Sequence, residues 1–421
     1  MMAKYTGVKI FFSKCQFRRV RMSKVQFFQG EIFKKFTTSY WVSLSLCLIL
    51  ALLLRLLFGA VFIGSWRPDE IFQYFEPAHR AVYGTGIVTW EWRVGIRSWL
   101  VPGVIAGLMW VGQVLGVKDE LFFVRSFFAI FSLSVVWAFF WYGWRKGGIL
   151  GAWTLGLFAV LWPDIVNGNI RTLGEFLGGN ALVVGAILVV SFLKEKTIEK
   201  SLMMAFAAGF FLGSAAAIRF QLAPGSGIAL LFLLQKRKML PFIVGCGAFI
   251  LPIMVLGIVD FYTLGEAFQS VSRNYYYNKT LGVASDFGED WFGYYIQKYI
   301  LFWGAAFVFV LYCLVFSDKK EKIPLIVALF IIFYHSLIGH KEISFVYAAV
   351  CLVIFSTACG FWEVVKKYPQ KKNVFLTALS LAMICIFMSK YSPYLNARSV
   401  GIKFDRLVSK KSDVCGIALL V

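Results

Sequence analysis

Apolar positions fall into about a dozen blocks of spanning or near-spanning length, at roughly 39–63, 98–117, 120–143, 148–166, 173–193, 201–218, 222–234, 239–260, 299–316, 323–339, 343–362 and 373–389. A helix needs about 20 apolar residues to cross the hydrocarbon, and it satisfies its own backbone there. The period-two alternation of a transmembrane barrel is not evident. The pattern therefore predicts an all-α, polytopic integral membrane protein with about 11–12 transmembrane helices. The block at 222–234 is short and carries Pro224, so a broken helix is expected there. No internal repeat is visible.

The polar breaks alternate in character. One set is basic: Arg145-Lys146, the Lys194–Lys200 turn, Lys236-Arg237-Lys238, Lys319-Lys320 and the Lys366–Lys372 turn. The other is mixed: Asn167–Glu175, Arg219–Gln221, Asp260–Trp291 and His340–Glu342. The positive-inside rule puts the first set in the cytoplasm and the second outside. Residues 1–38 read as a basic cytoplasmic arm, with nine Lys or Arg and a single acid, Glu31, before residue 37. The first apolar run is too long for a signal-peptide core and lacks a cleavage site, so a retained helix is expected. Residues 39–390 form one transmembrane unit, and 391–421 a basic tail. Two full crossings between Arg97 and Arg145 would put Arg145 on the wrong side. The 98–117 block, with Pro102 and four glycines, is the suspect for an incomplete crossing.

Composition agrees with this reading. Of 421 residues, 59% are hydrophobic, 18% aromatic and 15% charged, and the mean hydropathy is +0.73. The net charge of +21 fits cytoplasmic loops and anionic lipid better than nucleic acid, because no soluble basic domain exists to bind it. The eight cysteines are scattered and mostly apolar in context, which suits packing better than disulfides or metal.

One polar loop, 64–97, changes the picture from bundle to catalyst. It places Asp69, Glu70, Glu76 and Glu91 beside Arg67, His79, Arg93 and Arg97, with Trp66, Trp90 and Trp92 among them. A carboxylate at a lipid–water boundary can have a raised pKa and act as a base on a hydroxyl. The bland alternative for Asp69-Glu70 is an interfacial ion pair, and the pair alone leaves the two even; Glu91 and the tryptophans favour carbohydrate. His340-Lys341-Glu342 suits a phosphate, against a snorkelling lysine. Arg171 and Glu175 are four apart and could simply pair. Arg219 ends an apolar run, where an arginine is costly and a functional candidate. Arg55 and Arg125 lie deeper and are read as structural pairing residues.

These residues resemble glycosyltransferase family 22, the polyprenyl-phosphate-mannose-dependent mannosyltransferases, and within it the GPI-type branch. The family's outer-loop pattern H-P-D-E-x-x-Q…E-x-x-H…Y-G…T-W-E-W…I-R-S-x-x-x-P is matched by Pro68, Asp69, Glu70, Gln73, Glu76, His79, Tyr83, Gly84, Thr89, Trp90, Glu91, Trp92, Ile96, Arg97, Ser98 and Pro102. A second block, H-S-L-I-G-H-K-E at 335–342, looks like the family's H-K-E-x-R-F motif. Arg67 stands where the family has His, and Ser344-Phe345 where it has Arg-Phe; with the compact size, these suggest a prokaryotic-type member in a bacterial inner membrane.

The resemblance implies the GT-C helical membrane fold, with mannose moving from a polyprenyl-phosphate donor to a glycan or glycolipid hydroxyl, with inversion, outside the cytoplasm. In that frame Asp69 is the general base and Glu70 orients it or the acceptor. His340, Lys341, Arg67 and Arg219 serve the leaving phosphate. Glu76, His79, Trp90, Glu91, Trp92, Arg97, Arg171, Glu175 and Glu342 bind sugar or acceptor. No metal and no cofactor are expected, since cations can hold a leaving monophosphate. The rivals are a lipid-linked-sugar transporter or flippase, and the same chemistry on another sugar. The absence of repeats and the clustering of acids in one loop argue against transport.

Overall fold

The structure is a computed structural model that describes residues 39–60, 68–168, 170–236, 239–368, 370 and 377. The basic arm, Trp66, Arg67, most of the 373–389 block and the tail lie outside the described residues. Among those described, every regular element is helical and none is a strand. The chain has the helical membrane architecture expected of the GT-C fold.

Helix α1 (Ser39–Ala60) leads into the polar loop. There a π-helical turn, Glu70–Phe75, runs into α2 (Glu76–Tyr83), followed by a single turn α3 (Trp90–Arg93) and by α4 (Leu100–Val114). Next come α5 (Glu120–Leu161), α6 (Pro163–Gly168), α7 (Gly174–Lys194), α8 (Ile198–Ile218) and α9 (Ala223–Leu231). The chain ends in α10 (Met239–Leu264), α11 (Gln269–Tyr275), α12 (Tyr294–Trp303), α13 (Ala305–Phe316), α14 (Ile323–Ser336) and α15 (Tyr347–Lys367).

Among the described residues six helices are long and apolar enough to cross a membrane, or up to seven if the α12–α13 pair, bent by 106°, is one span. Apart from the 373–389 block, most of which lies outside the described residues, the difference from the sequence blocks has physical reasons. At 15 residues, α4 is too short to cross, as suspected of the 98–117 block. The helix over Phe220–Gln235 is also short. Helix α5 counts once although it holds two blocks: its 42 residues would reach about 63 Å if straight, twice the hydrocarbon thickness. It instead folds back at Gly147-Gly148, where Gly148 has φ +60 and ψ −148, a conformation essentially reserved for glycine. Buried Arg55 spans both arms, donating to Ser132 Oγ at 3.0 Å, Ala51 O at 3.0 Å and Ala159 O at 3.3 Å. It thus serves the structural role expected of it, through hydroxyl and carbonyl partners.

Helix α7 is central, with 89% of its apolar window buried, whereas α1 and α10 are peripheral at 33% and 28%. Helix α8 packs between α7 and α10. A Cβ at Gly209 or Gly213 of α8 would strike the Gly245 or Phe249 carbonyl oxygen at 2.0 and 2.1 Å, so this small-xxx-small face lets the two backbones touch.

The hairpin in α5 brings the turns at 145–146, 194–195 and 318–321, with Glu363, to one end. Lys146 Nζ lies 2.6 Å from Glu321 Oε1, 2.6 Å from Glu363 and 3.3 Å from Asp318. Arg145 pairs with Glu195 at 3.0 Å, and Lys320 donates to Leu193 O at 2.8 Å. The mixed-charge loops meet at the opposite end.

Candidate functional site

Asp69 and Glu70 are neighbours with different surroundings. Glu70 is fully buried. Its Oε1 accepts from Arg125 Nε at 3.3 Å and from Thr172 N and Oγ1, both at 3.4 Å. Its Oε2 meets Arg125 Nη2 at 3.1 Å and Arg171 Nη1 at 3.3 Å. One carboxylate between two guanidiniums pins the loop to α5 and to the turn before α7. A buried charge needs this pairing. In the structure Glu70 and Arg171 hold the loop that carries Asp69. Arg125 is a pairing residue, as expected.

Asp69 is half-buried, and among the described residues no hydrogen-bond donor reaches it. Burial pushes its carboxyl up to about 6; Arg97 pulls it down, while Glu175, Glu342 and Glu91 push it further up. That value lies close to neutrality, as a general base requires.

Behind Asp69 the π-helical turn places Gln73 four residues on. Gln73 Nε2 donates to Glu91 Oε1 at 3.5 Å, and Glu91 forms an ion pair with Arg97. Across from them Arg219 pairs with Glu175 at 2.5 Å. A cavity of about 50 Å³ opens here, lined among others by Gln73, Tyr74, Arg97, Arg219, Gln221 and Asn274. Of its lining side chains, Gln73 Oε1, Gln221 Oε1 and Arg97 Nε are buried without a partner among the described residues, as is Glu175 Oε2 of the neighbouring ion pair. Helix α11 closes one side: Arg273 donates to Val94 O at 3.1 Å and Asn274 to Ile96 O at 3.4 Å. Buried Asp260 fixes the start of α11 by accepting from Ser270 N at 3.0 Å and Oγ at 2.5 Å.

Other predicted residues shape the loop. Glu76 Oε1 accepts from Ile87 N at 2.5 Å, and the His79 ring meets Thr85 O at 3.0 Å. Trp92 donates to Phe72 O at 3.2 Å and lies 5.1 Å from the Trp99 ring. Trp90 is more open, 6.3 Å from Tyr277, and is the tryptophan best placed to meet a sugar face.

In the second predicted block, Lys341 is turned toward backbone carbonyls. Lys341 is buried, and its ammonium donates to Asp290 O and Ile338 O, both at 2.6 Å, and to Gly339 O at 3.2 Å. An ammonium has three protons, so all are spent on carbonyls and none is left for a phosphate. Its sequence motif reports a charge and not its direction. His340 is partly exposed; its Nδ1 lies 3.1 Å from Gly288 O and its Nε2 3.6 Å from Glu342. Glu342 accepts from Ser344 at 3.0 Å and acts electrostatically on Asp69. The structure thus brings together Asp69, Glu91, Arg97, Glu175, Arg219 and Glu342. Gln221 and Asn274 join them without having been singled out, and Gln73 without having been given a role. Among the described residues, the acids close enough for a metal are Asp318, Glu321 and Glu363, at the basic end, where the Lys146 ammonium lies between them.

Comparison with known proteins gives a consistent result. The profile of the Alg9-like mannosyltransferase family matches residues 46–413. GPI mannosyltransferase 3 of Yarrowia lipolytica is 52% identical over 54 residues, 13% of this chain and 11% of that protein. GPI mannosyltransferase 3 of Drosophila melanogaster is 28% identical over 341 residues, covering 76% of this chain and 58% of that protein. The match thus spans less than two thirds of either relative. In fold, the chain is similar to ArnT from Cupriavidus metallidurans bound to undecaprenyl phosphate, with a TM-score of 0.60, 12% identity, and coverage of 82% of this chain and 64% of that one.

Proposed function

The chain belongs to the Alg9-like mannosyltransferase family, and on that premise we propose that it moves mannose from a polyprenyl-phosphate donor to a hydroxyl of a glycan or glycolipid acceptor. The observation that carries this reading is Asp69: a half-buried carboxylate raised to about 6, in a loop locked by Glu70 and beside a polar cavity. As the acceptor oxygen attacks the anomeric carbon, Asp69 takes its proton. The carbon–oxygen bond to phosphate breaks on the opposite face, and the phosphate leaves with the electron pair, so the centre inverts. His340, which is partly exposed, Arg219, and Arg67, two residues before Asp69 in sequence, are assigned to the developing charge on that phosphate. Lys341 acts through the loop that it holds. No metal is assigned.

The gathering of basic turns at the far end supports a site on the non-cytoplasmic face. The test uses radiolabelled polyprenyl-phosphate-mannose, lipid extract, and membranes carrying wild type or Asp69→Asn at matched expression. Wild type labels a new glycolipid, and Asp69→Asn falls at least ~100-fold. Turnover near normal in the variant would remove Asp69 as base.

A further inference from the structure

Three buried polar atoms without partners among the described residues belong to side chains that line one cavity: Gln73 Oε1, Gln221 Oε1 and Arg97 Nε. An unsatisfied buried polar atom costs about 1–3 kcal/mol, so such a cluster marks a place that a polar ligand fills. The identity of the atoms says which kind. The orientation of Gln73 follows from its neighbour: its amide nitrogen faces the Glu91 carboxylate, so the atom left unpartnered is its oxygen. Two of the three atoms are therefore acceptors in this arrangement and one is a donor. Phosphate oxygens only accept at neutral pH and would satisfy Arg97 alone. A hydroxyl both donates and accepts.

Charge points the same way. Glu91 offsets Arg97 and Glu175 offsets Arg219, while Asp69 and Glu342 add negative potential nearby. Each arginine of this group is thus offset by a carboxylate, which leaves the cavity without a net positive charge. By size, about 50 Å³ holds a few water-sized groups at ~10–15 Å³ each, which is one hydroxylated edge of a sugar ring rather than a whole ring.

We infer that Gln73, Gln221 and Arg97 form a subsite that reads the hydroxyls on one edge of a neutral hexose, and so helps to decide which sugar reacts. This rests on the proposed transferase reading. The hexose comes from the donor or from the acceptor, and both share this chemistry.

The test separates subsite from turnover. The full-chain Asp69→Asn protein in detergent is titrated with polyprenyl-phosphate-mannose and with sugar-free polyprenyl phosphate, with and without Gln73→Leu or Gln221→Leu. The shift in melting temperature reports binding. The acceptor KM is measured for the same leucine variants in the otherwise wild-type chain. Expected is a loss of at least ~10-fold in affinity for the mannose-bearing lipid, with the sugar-free lipid unchanged. A rise in acceptor KM alone assigns the subsite to the acceptor's hexose. Equal loss for both lipids identifies a phosphate pocket and overturns the inference, as do unchanged binding and unchanged acceptor KM in variants that melt like their parents. A sugar-dependent binding difference in a protein whose wild type transfers no mannose would count against the transferase reading and not against the subsite.

Discussion

At the scale of residues, Asp69 owes its chemistry to burial and to the acids around it. With its carboxyl near 6, kcat/KM should rise about tenfold per pH unit below that value and level off above it. A profile flat between pH 4.5 and 8 would remove Asp69 from the proton transfer. The same shift has a stability sign. A folded-state pKa above the unfolded value means that the fold prefers the protonated acid. That stabilisation is complete below the unfolded value of 3.8 and is lost as pH rises through about 6. Asp69→Asn should therefore melt above wild type at pH 8 and match it near pH 4. Glu70→Ala should do the opposite, losing about 3–5 kcal/mol by leaving two guanidiniums buried without their carboxylate; thermal melts of the two variants side by side check this. The acid pair was legible in the sequence. Which member is buried in ion pairs was not, because the partners that decide it, Arg125 and Arg171, stand 55 and 101 residues away. Gln221 and Asn274 gave no signal at all: a neutral amide looks the same in sequence whether it is solvated or buried.

At the scale of elements, the alternation of basic and mixed turns anticipated the hairpin in α5, since Arg145 and Lys146 could join the other basic turns only if the chain reversed there. The shortness of α4 was also foreseeable from Pro102 and its glycines. The 106° bend between α12 and α13 was not, because Gly304 interrupts an apolar run without changing its hydropathy. Direction was the other hidden quantity. Lys341 ties the 335–342 turn to the segment before α12 through Asp290 O, and Asp290 N answers to Gly339 O at 3.0 Å. Lys341→Met keeps the stem and removes the three donors. Limited proteolysis should then cut the 282–293 segment faster, while the melting temperature of the bundle changes little. Equal cutting rates would assign the ammonium another role.

On the scale of the whole molecule, each end is gathered on one buried glutamate. Glu70 joins the polar loop to α5 and to the turn before α7. Glu321, fully buried, receives Lys146 Nζ at 2.6 and 2.7 Å, Lys194 Nζ at 2.6 Å and Tyr142 OH at 2.8 Å. The pairings run in opposite senses along the chain. At the site end the acid is synthesised first and its arginines follow; at the basic end Lys146 and Lys194 precede their acid by 175 and 127 residues. A growing chain therefore carries an unmatched negative charge at one membrane surface until Arg125 of α5 emerges, and unmatched positive charges at the other until the turn before α14 emerges. The order of translation thus seats the catalytic loop while the opposite end still carries free lysines, the kind of charge that holds a half-made membrane protein in its orientation.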